Sequence, residues 1–297
     1  MAPGLISAAS GLTVASRGTL GPADLAVADV GLVRRPTGPA LEARTKRGIV
    51  WRRLWIEPHR LVAEFIGYVL VEVRESDGAV VFDHLLAPDL EQHLLLDHLL
   101  PLVIARRGST VLHGAVVHWE GRAVVVCGPS GAGKSTLTAY AWQHGWTVAG
   151  DDGAVVHPGN PPTVQATYPT IRLTPAAADL LDIVPTPESR VVGKHRITGP
   201  QGKTFVHDAA SLAAVIILQP VAEGEPATLM RLRGARAHVA LFGATFHVDL
   251  GQNGRLGAIV DDLADLADVL PIGVLSVPRG REGLAAALHA MQIVARG

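Results

Sequence analysis

The sequence predicts an α/β protein carrying a smaller, mainly-β module on its N-terminal side, and three observations predict it. Short apolar runs alternate with a helical run around the glycine-rich stretch "GPSGAGKST", the strand–loop–helix order of α/β domains. Near the other end, "LGAIVDDLADLADVL" and "REGLAAALHAMQIVA" have helical apolar spacing and flank the strand-like "IGVLSVP". The first 90 residues are instead short extended segments, rich in β-branched and aromatic residues and separated by turns. The expected organisation is therefore a mainly-β module over 1–90 and an α/β domain over 91–297.

Composition agrees with a packed chain. At 297 residues, with 48% hydrophobic and 18% charged, it can bury a sizeable core and is not a disordered polymer. A formal net charge of -1 gives no global field favouring nucleic acid or an anionic membrane. The single cysteine, Cys127, excludes an internal disulfide framework and suits a reducing cytosol, so a cytoplasmic location is expected. The opening "MAPGLISAASGLTVASRG" has neither a basic start nor a long apolar run, and no membrane or targeting segment is expected.

In the N-terminal module, "GIVWRRLWIE", "RLVAEFIGYVLVEVRE" and "AVVFDHLL" read as extended segments, with "ESDGA" a hairpin-type turn. "DLEQHLLLDHLLPLVIARRG" follows as a helix with leucines at helical spacing, kinked or split at Pro101 and stopped by Gly108. "TVLHGAVVHWEGRAVVVCG" is two apolar strands joined by "HWEG". This antiparallel hairpin argues against a purely parallel sheet and puts His118 in the link, where it is expected on the surface. Cys127 is expected as a core thiol at the end of a buried strand. "KSTLTAYAWQHG" is a helix closed by Gly145, "WTVAGDD" a short strand ending in an acidic pair, and "SLAAVIILQP" a buried strand. Between Pro158 and Asp208, abundant proline, glycine and charge read as loops near the site.

The chemistry concentrates around the glycine-rich stretch. Gly128, Pro129, Ser130, Gly131, Ala132, Gly133, Lys134 and Ser135 match G-x-x-x-x-G-K-[ST], with Thr136 next, a strand before and a helix after. Glycines let backbone N–H groups turn inward around phosphate oxygens, and the helix N-terminus adds a favourable dipole. Lys134, expected at a solvent-reachable position, would neutralise the β- and γ-phosphates, and Ser135 would offer a hydroxyl to Mg²⁺. Asp151 and Asp152 end the next strand and should face the same edge of the sheet. Their side chains leave the backbone in different directions, so one could orient Mg²⁺ or water while the other takes a proton from an attacking hydroxyl. The bland alternative is a solvated turn, "AGDDGA".

His113, on the strand before the loop, is by default a hydrogen-bonded core histidine. Gly114 beside it signals a close approach to that backbone. Arg172, Arg190, Lys194, Arg196 and Lys203 form a basic series after the acidic pair. Most read as solvated loop charges, with Arg172 and Lys194 favoured for stabilising charge on a transferred phosphate. "LVRRP", "ARTKRG" and "WRRLW" are solvated by default, and taken together would make a basic, aromatic face for an acidic peptide.

The block "HGAVVHWEGRAVVVCGPSGAGKSTLTAYAWQHGWTVAGDD" resembles the catalytic core of HPr serine kinase/phosphorylase. It resembles even more the HPr-kinase-like proteins found with ribosomally made peptides, including lasso-peptide kinases. "LLLDHLLPLVIARRGSTVLHGAVV", "YPTIRLTP" and "SLAAVIILQP" also look like those relatives. The resemblance implies the phosphoenolpyruvate-carboxykinase-like variant of the P-loop fold and an ATP- and Mg²⁺-dependent serine kinase. Asp152 matches the family's proton acceptor, Lys134 and Ser135 its phosphate and Mg²⁺ ligands, and His113 its active-site histidine; Asp151 is read as supporting the metal. The family's metal-binding glutamate is missing: Thr170 precedes Ile171 and Arg172. The second Mg²⁺ contact and reverse phosphorolysis are therefore not carried over. The expected activity is γ-phosphate transfer to a serine-type hydroxyl of a peptide or small protein. A small-molecule hydroxyl kinase and a nucleotide-binding regulator are the competing readings, and a homo-oligomer stays open.

Overall fold

The computed structural model describes residues 26–45, 47–74, 78–185, 190–191, 193–197, 205–206, 208–246 and 255–296. The opening segment, residues 75–77 of the "ESDGA" turn and Lys203 lie outside the described residues. The chain divides into two compact units, Met1–Leu95 and Leu96–Gly297.

The first unit is a sheet built from β1 (Ala26–Val30), β2 (Leu41–Arg44), β3 (Val50–Glu57), β4 (Arg60–Phe65), β5 (Val69–Arg74) and β6 (Ala79–Phe82), in the order β1-β6-β5-β4-β3-β2. Every pairing is antiparallel except β1 with β6. "RLVAEFIGYVLVEVRE" is not one strand. It folds back at Gly67, whose φ of 78° suits a turn that the Tyr68 N–H closes on the Phe65 carbonyl at 2.9 Å. Val33, Trp55, Val62 and Leu70 pack together as its core, and the Trp55 indole N–H is satisfied by the Gly38 carbonyl at 2.9 Å.

Residues 88–106 are helical: α1 (Pro88–His93), a π-helical stretch (Leu94–Leu99), then α2 (Leu100–Arg106). Pro101 has no N–H for the carbonyl four residues back, that of Asp97, and its ring crowds the preceding turn. The wider π register just upstream meets this constraint, and such bulges recur at functional sites. Gly108, at φ 104°, ends the segment.

The second unit continues with β7 (Thr110–Leu112), β8 (Gly114–Trp119), β9 (Arg122–Cys127), α3 (Lys134–Gln143), β10 (Thr147–Gly150), β11 (Ala154–His157), β12 (Thr163–Ala166), β13 (Ile171–Leu173) and α4 (Pro175–Leu180). It closes with β14 (Arg190–Val191), β15 (Lys194–Ile197), β16 (Ala210–Val221), β17 (Thr228–Leu232), α5 (Ala235–Ala244), α6 (Arg255–Val269), β18 (Ile272–Pro278) and α7 (Arg281–Arg296). Nine strands make a mixed sheet, β10-β8-β9-β16-β12-β11-β7, with β18 on β16 and β17 on β18. β9, β16 and β18 run parallel, while β8 returns antiparallel to β9 through the two-residue turn Glu120–Gly121. Both turn residues have positive φ, the hairpin geometry whose twist matches the strands.

Period-2 alternation along β9 sorts its side chains to two faces. Val124 and Val126 join Leu137, Trp142 and Trp146 on the α3 side, together with Leu284, Leu288 and Met291 of α7. Ala123, Val125 and Cys127 pack with Leu241 of α5 and Leu263 and Leu266 of α6 on the other. This is a helix–sheet–helix sandwich, a mixed α/β fold.

Two expectations need correcting. His118 belongs to β8 and is buried, 7% exposed, because the turn is only two residues long and its ring faces the protein. The segment after Pro158 is not simply loops: β12 pairs with β11 and β16, and β13, β15 and β14 form a three-stranded sheet of their own.

Candidate functional site

Strand direction alone brings the expected groups to one edge. β8 is antiparallel to both β9 and β10, so β9 and β10 end at the same edge, where β8 begins. The loop after Cys127, the Asp151–Asp152 pair after Gly150 and His113 before Gly114 therefore meet there. Ligands of open α/β sheets bind at such carboxyl edges.

The loop is shaped by its glycines. Gly128, at φ 142°, passes so close to β16 that an added Cβ would stand 2.9 Å from the Leu218 carbonyl oxygen. Gly133 takes a left-handed conformation at φ 96° and caps α3 without any side-chain hydrogen bond. The first backbone N–H groups of α3 thus keep their donor capacity for an incoming anion. Lys134 is only 8% exposed, against the expectation of a solvent-reachable charge. Its Nζ donates to the Gly128 carbonyl at 2.7 Å, closing the loop on itself, and burial pulls its pKa down although Asp152 opposes this.

The acidic pair is no solvated turn. Asp151 is 1% exposed, and its Oδ2 accepts the Arg172 N–H at 2.9 Å. Burial first, then the Asp152 charge, push its carboxyl up to about 7, with Arg172 and the Ser135 hydroxyl pulling the other way. Asp152 points differently, its side chain 12% exposed, and its Oδ2 binds the Arg172 guanidinium with the Tyr168 hydroxyl at 3.4 Å. Burial would raise the Asp152 carboxyl, but Arg172, His113 and Lys194 outweigh it and hold it below the usual range. Glycines enclose the pair: a Cβ on Gly150 would collide with the Tyr168 carbonyl, and one on Gly153 would come within 2.6 Å of the Thr167 hydroxyl oxygen.

Arg172 is the hub. One arm of its guanidinium pairs with Asp152 and the other with Asp97, whose carboxylate also accepts the Tyr168 hydroxyl. Neither Asp97 nor Tyr168 was singled out in the sequence as a site residue. The available signal was a lone acid inside the leucine run "LLLDHLL", since an unpaired carboxylate is rarely buried. His113 donates its backbone N–H to the Ala244 carbonyl at 2.6 Å and stacks edge-on against Phe246. Burial and Lys134 lower its pKa, while Asp152 raises it. Lys194, on β15, is close enough for its charge to act on both Lys134 and Asp152. Arg190 opens β14.

A distant likeness stands among solved structures. The HPr(Ser) kinase/phosphatase from Coxiella burnetii is 12% identical over 63% of this chain and 99% of that one, with a TM-score of 0.35. At that score the likeness carries no weight for fold or activity. No family model and no curated protein matches the chain. The site is therefore read from its own residues.

Those residues fit a hard cation. Asp151 Oδ1 is buried without a hydrogen-bond partner, and the Ser135 hydroxyl acts on the same carboxylate. Among the described residues no group of three or more His, Cys, Asp or Glu could hold a metal by itself. Asp151 and Ser135 are thus the protein groups that could hold such a cation, with water and substrate completing its shell. No helix among the described residues is long and apolar enough to cross a membrane.

Proposed function

We propose that the protein is an ATP- and Mg²⁺-dependent kinase that transfers the γ-phosphate to a serine-type hydroxyl of a peptide or small protein. The observation carrying this reading is the unequal pair beside the glycine-rich loop: Asp151 is buried with its pKa raised, while Asp152 is held ionised and partly open. A hydrolytic site needs one acid near the metal; a second carboxylate, ionised and not fully buried, suits an incoming hydroxyl. The resemblance of the His113–Asp152 block to the peptide-cluster kinases supports a peptide acceptor.

The backbone N–H groups at the start of α3 and the Lys134 ammonium would receive phosphate oxygens. For this, Lys134 gives up its bond to the Gly128 carbonyl for a charged acceptor. Ser135 and Asp151 would hold Mg²⁺, which when bound neutralises charge on the phosphates. Asp152 takes the acceptor hydroxyl's proton as that oxygen bonds to the γ-phosphorus and the bond from phosphorus to the β–γ bridging oxygen breaks, releasing ADP. Arg172 keeps that carboxylate aimed and ionised, with His113 beside it. Most of the acceleration comes from positioning and charge, with the base adding about 10²–10⁴-fold.

Radiolabelled γ-phosphate should appear on a serine-containing precursor-type peptide in excess of label released as free phosphate. Asp152→Asn should lower kcat by roughly 10²–10⁴-fold with nucleotide affinity nearly intact. Asp151→Asn should instead shift the Mg²⁺ concentration for half-maximal rate upward. Nucleotide bound but never turned over by the wild type, with any peptide, would replace the kinase by a nucleotide-binding regulator.

A further inference from the structure

The three-stranded sheet β13-β15-β14 has two unlike faces. Ile171, Leu173 and Ile197 enter the core beneath α3. By the same alternation, Arg172, directly opposite Arg196 in the antiparallel pairing, shares the other face with Arg196, and Lys194 lies two residues along on that face. Like charges set directly opposite are unfavourable unless something between them compensates. Arg172 is compensated by Asp97 and Asp152. Arg196 is not. Its Nε and Nη2 are buried and meet no hydrogen-bond acceptor, and among the described residues it forms no ion pair. Burial lowers its pKa; Asp97, Asp151 and Asp152 act on it only through space.

Buried guanidinium donors without partners cost free energy, and a fold keeps them where an outside group supplies the acceptor. We propose that Arg196, with Lys194, forms an oxyanion subsite on this face, taking the planar edge of a phosphate or carboxylate brought in by a ligand. A guanidinium edge presents two parallel N–H donors to two oxygens of such a group, and Nε with Nη2 is one such edge. Two ligands could bring the anion: the terminal phosphate of a nucleotide in the glycine-rich loop, or an acidic group next to the acceptor hydroxyl. The second source rests on the kinase reading above; anion binding itself does not.

The test is thermal unfolding of the full chain with inorganic phosphate as the probe, comparing wild type with Arg196→Met and Arg196→Lys. In phosphate-free buffer Arg196→Met should melt at or above wild type, since it removes buried donors that meet no acceptor. Phosphate should stabilise wild type, while Arg196→Met needs roughly tenfold more for the same shift and Arg196→Lys, keeping charge without the fork, falls between. Repeating the titration with saturating Mg²⁺ and a non-hydrolysable ATP analogue separates the sources. Phosphate stabilisation that adds to the analogue and still needs Arg196 assigns the anion to the acceptor. Loss of the phosphate effect, with weaker analogue binding in Arg196→Met, assigns it to the nucleotide. An Arg196→Met protein melting well below wild type without phosphate, or a phosphate response identical to wild type, overturns the subsite. None of these outcomes depends on turnover, so failure of the kinase reading would be seen separately.

Discussion

Adjacent residues of one type end in different states here because their surroundings differ on an ångström scale. Asp151 faces inward onto a backbone N–H; Asp152 faces the Arg172 guanidinium and keeps a small exposed fraction. The histidines show the same dependence. Burial lowers the His118 pKa from its ordinary 6.5. In the unfolded chain it takes a proton near 6.5; in the fold it does so only at lower pH. Between those values the unfolded state binds more protons, so His118 contributes stability above about pH 6.5 that is lost as pH falls through the folded value. His118→Gln cannot titrate, and urea unfolding across pH 5–7 should show a shallower acid limb than wild type (about one proton less at most). An unchanged limb would mean that His118 is solvated.

At the scale of elements, the β8–β9 hairpin was legible because its apolar runs and short polar link allow little else. Gly114 flagged a close approach, and the neighbour is now visible: a Cβ there would stand 2.8 Å from Cys127 Sγ and 2.9 Å from the Val126 carbonyl oxygen. Cys127 is fully buried, its thiol pushed up to about 12 by desolvation. Gly114→Ala should therefore overpack the hairpin and cost about 1–3 kcal/mol, read as a lower urea midpoint at constant m-value. A midpoint equal to wild type would show that the strands can part at no cost. The π-helical stretch before Pro101 was not legible, although a kink was. Sequence marks a proline, but only the packed helix decides which register absorbs it and so carries Asp97 to Arg172.

For the whole molecule, a ligand that binds only the folded state raises its stability by mass action, about 2.7 kcal/mol at a hundred times its dissociation constant. Mg²⁺ with a non-hydrolysable ATP analogue should raise the melting temperature of wild type and leave Lys134→Ala unshifted. Lys134→Ala should itself fold, because the ammonium it loses is one that burial penalises. A shift of equal size in both proteins would remove Lys134 from the proposed nucleotide site.

The sequence by itself determined the α/β class, the strand–glycine loop–helix unit and the order His113, loop, Asp151–Asp152, because those follow from local periodicity and from conformations that only glycine adopts freely. Only the tertiary structure decided that Lys134 and Asp151 are buried, that Arg172 is held by Asp97, and that the Arg196 Nε and Nη2 meet no acceptor. The reason is that charge pairing joins residues far apart in the chain. Asp97, Asp152, Arg172 and Arg196 come from a π-turn, a strand end and a small separate sheet. No spacing in the sequence encodes which of their charges meet, since burial and register set the outcome only once the elements have packed.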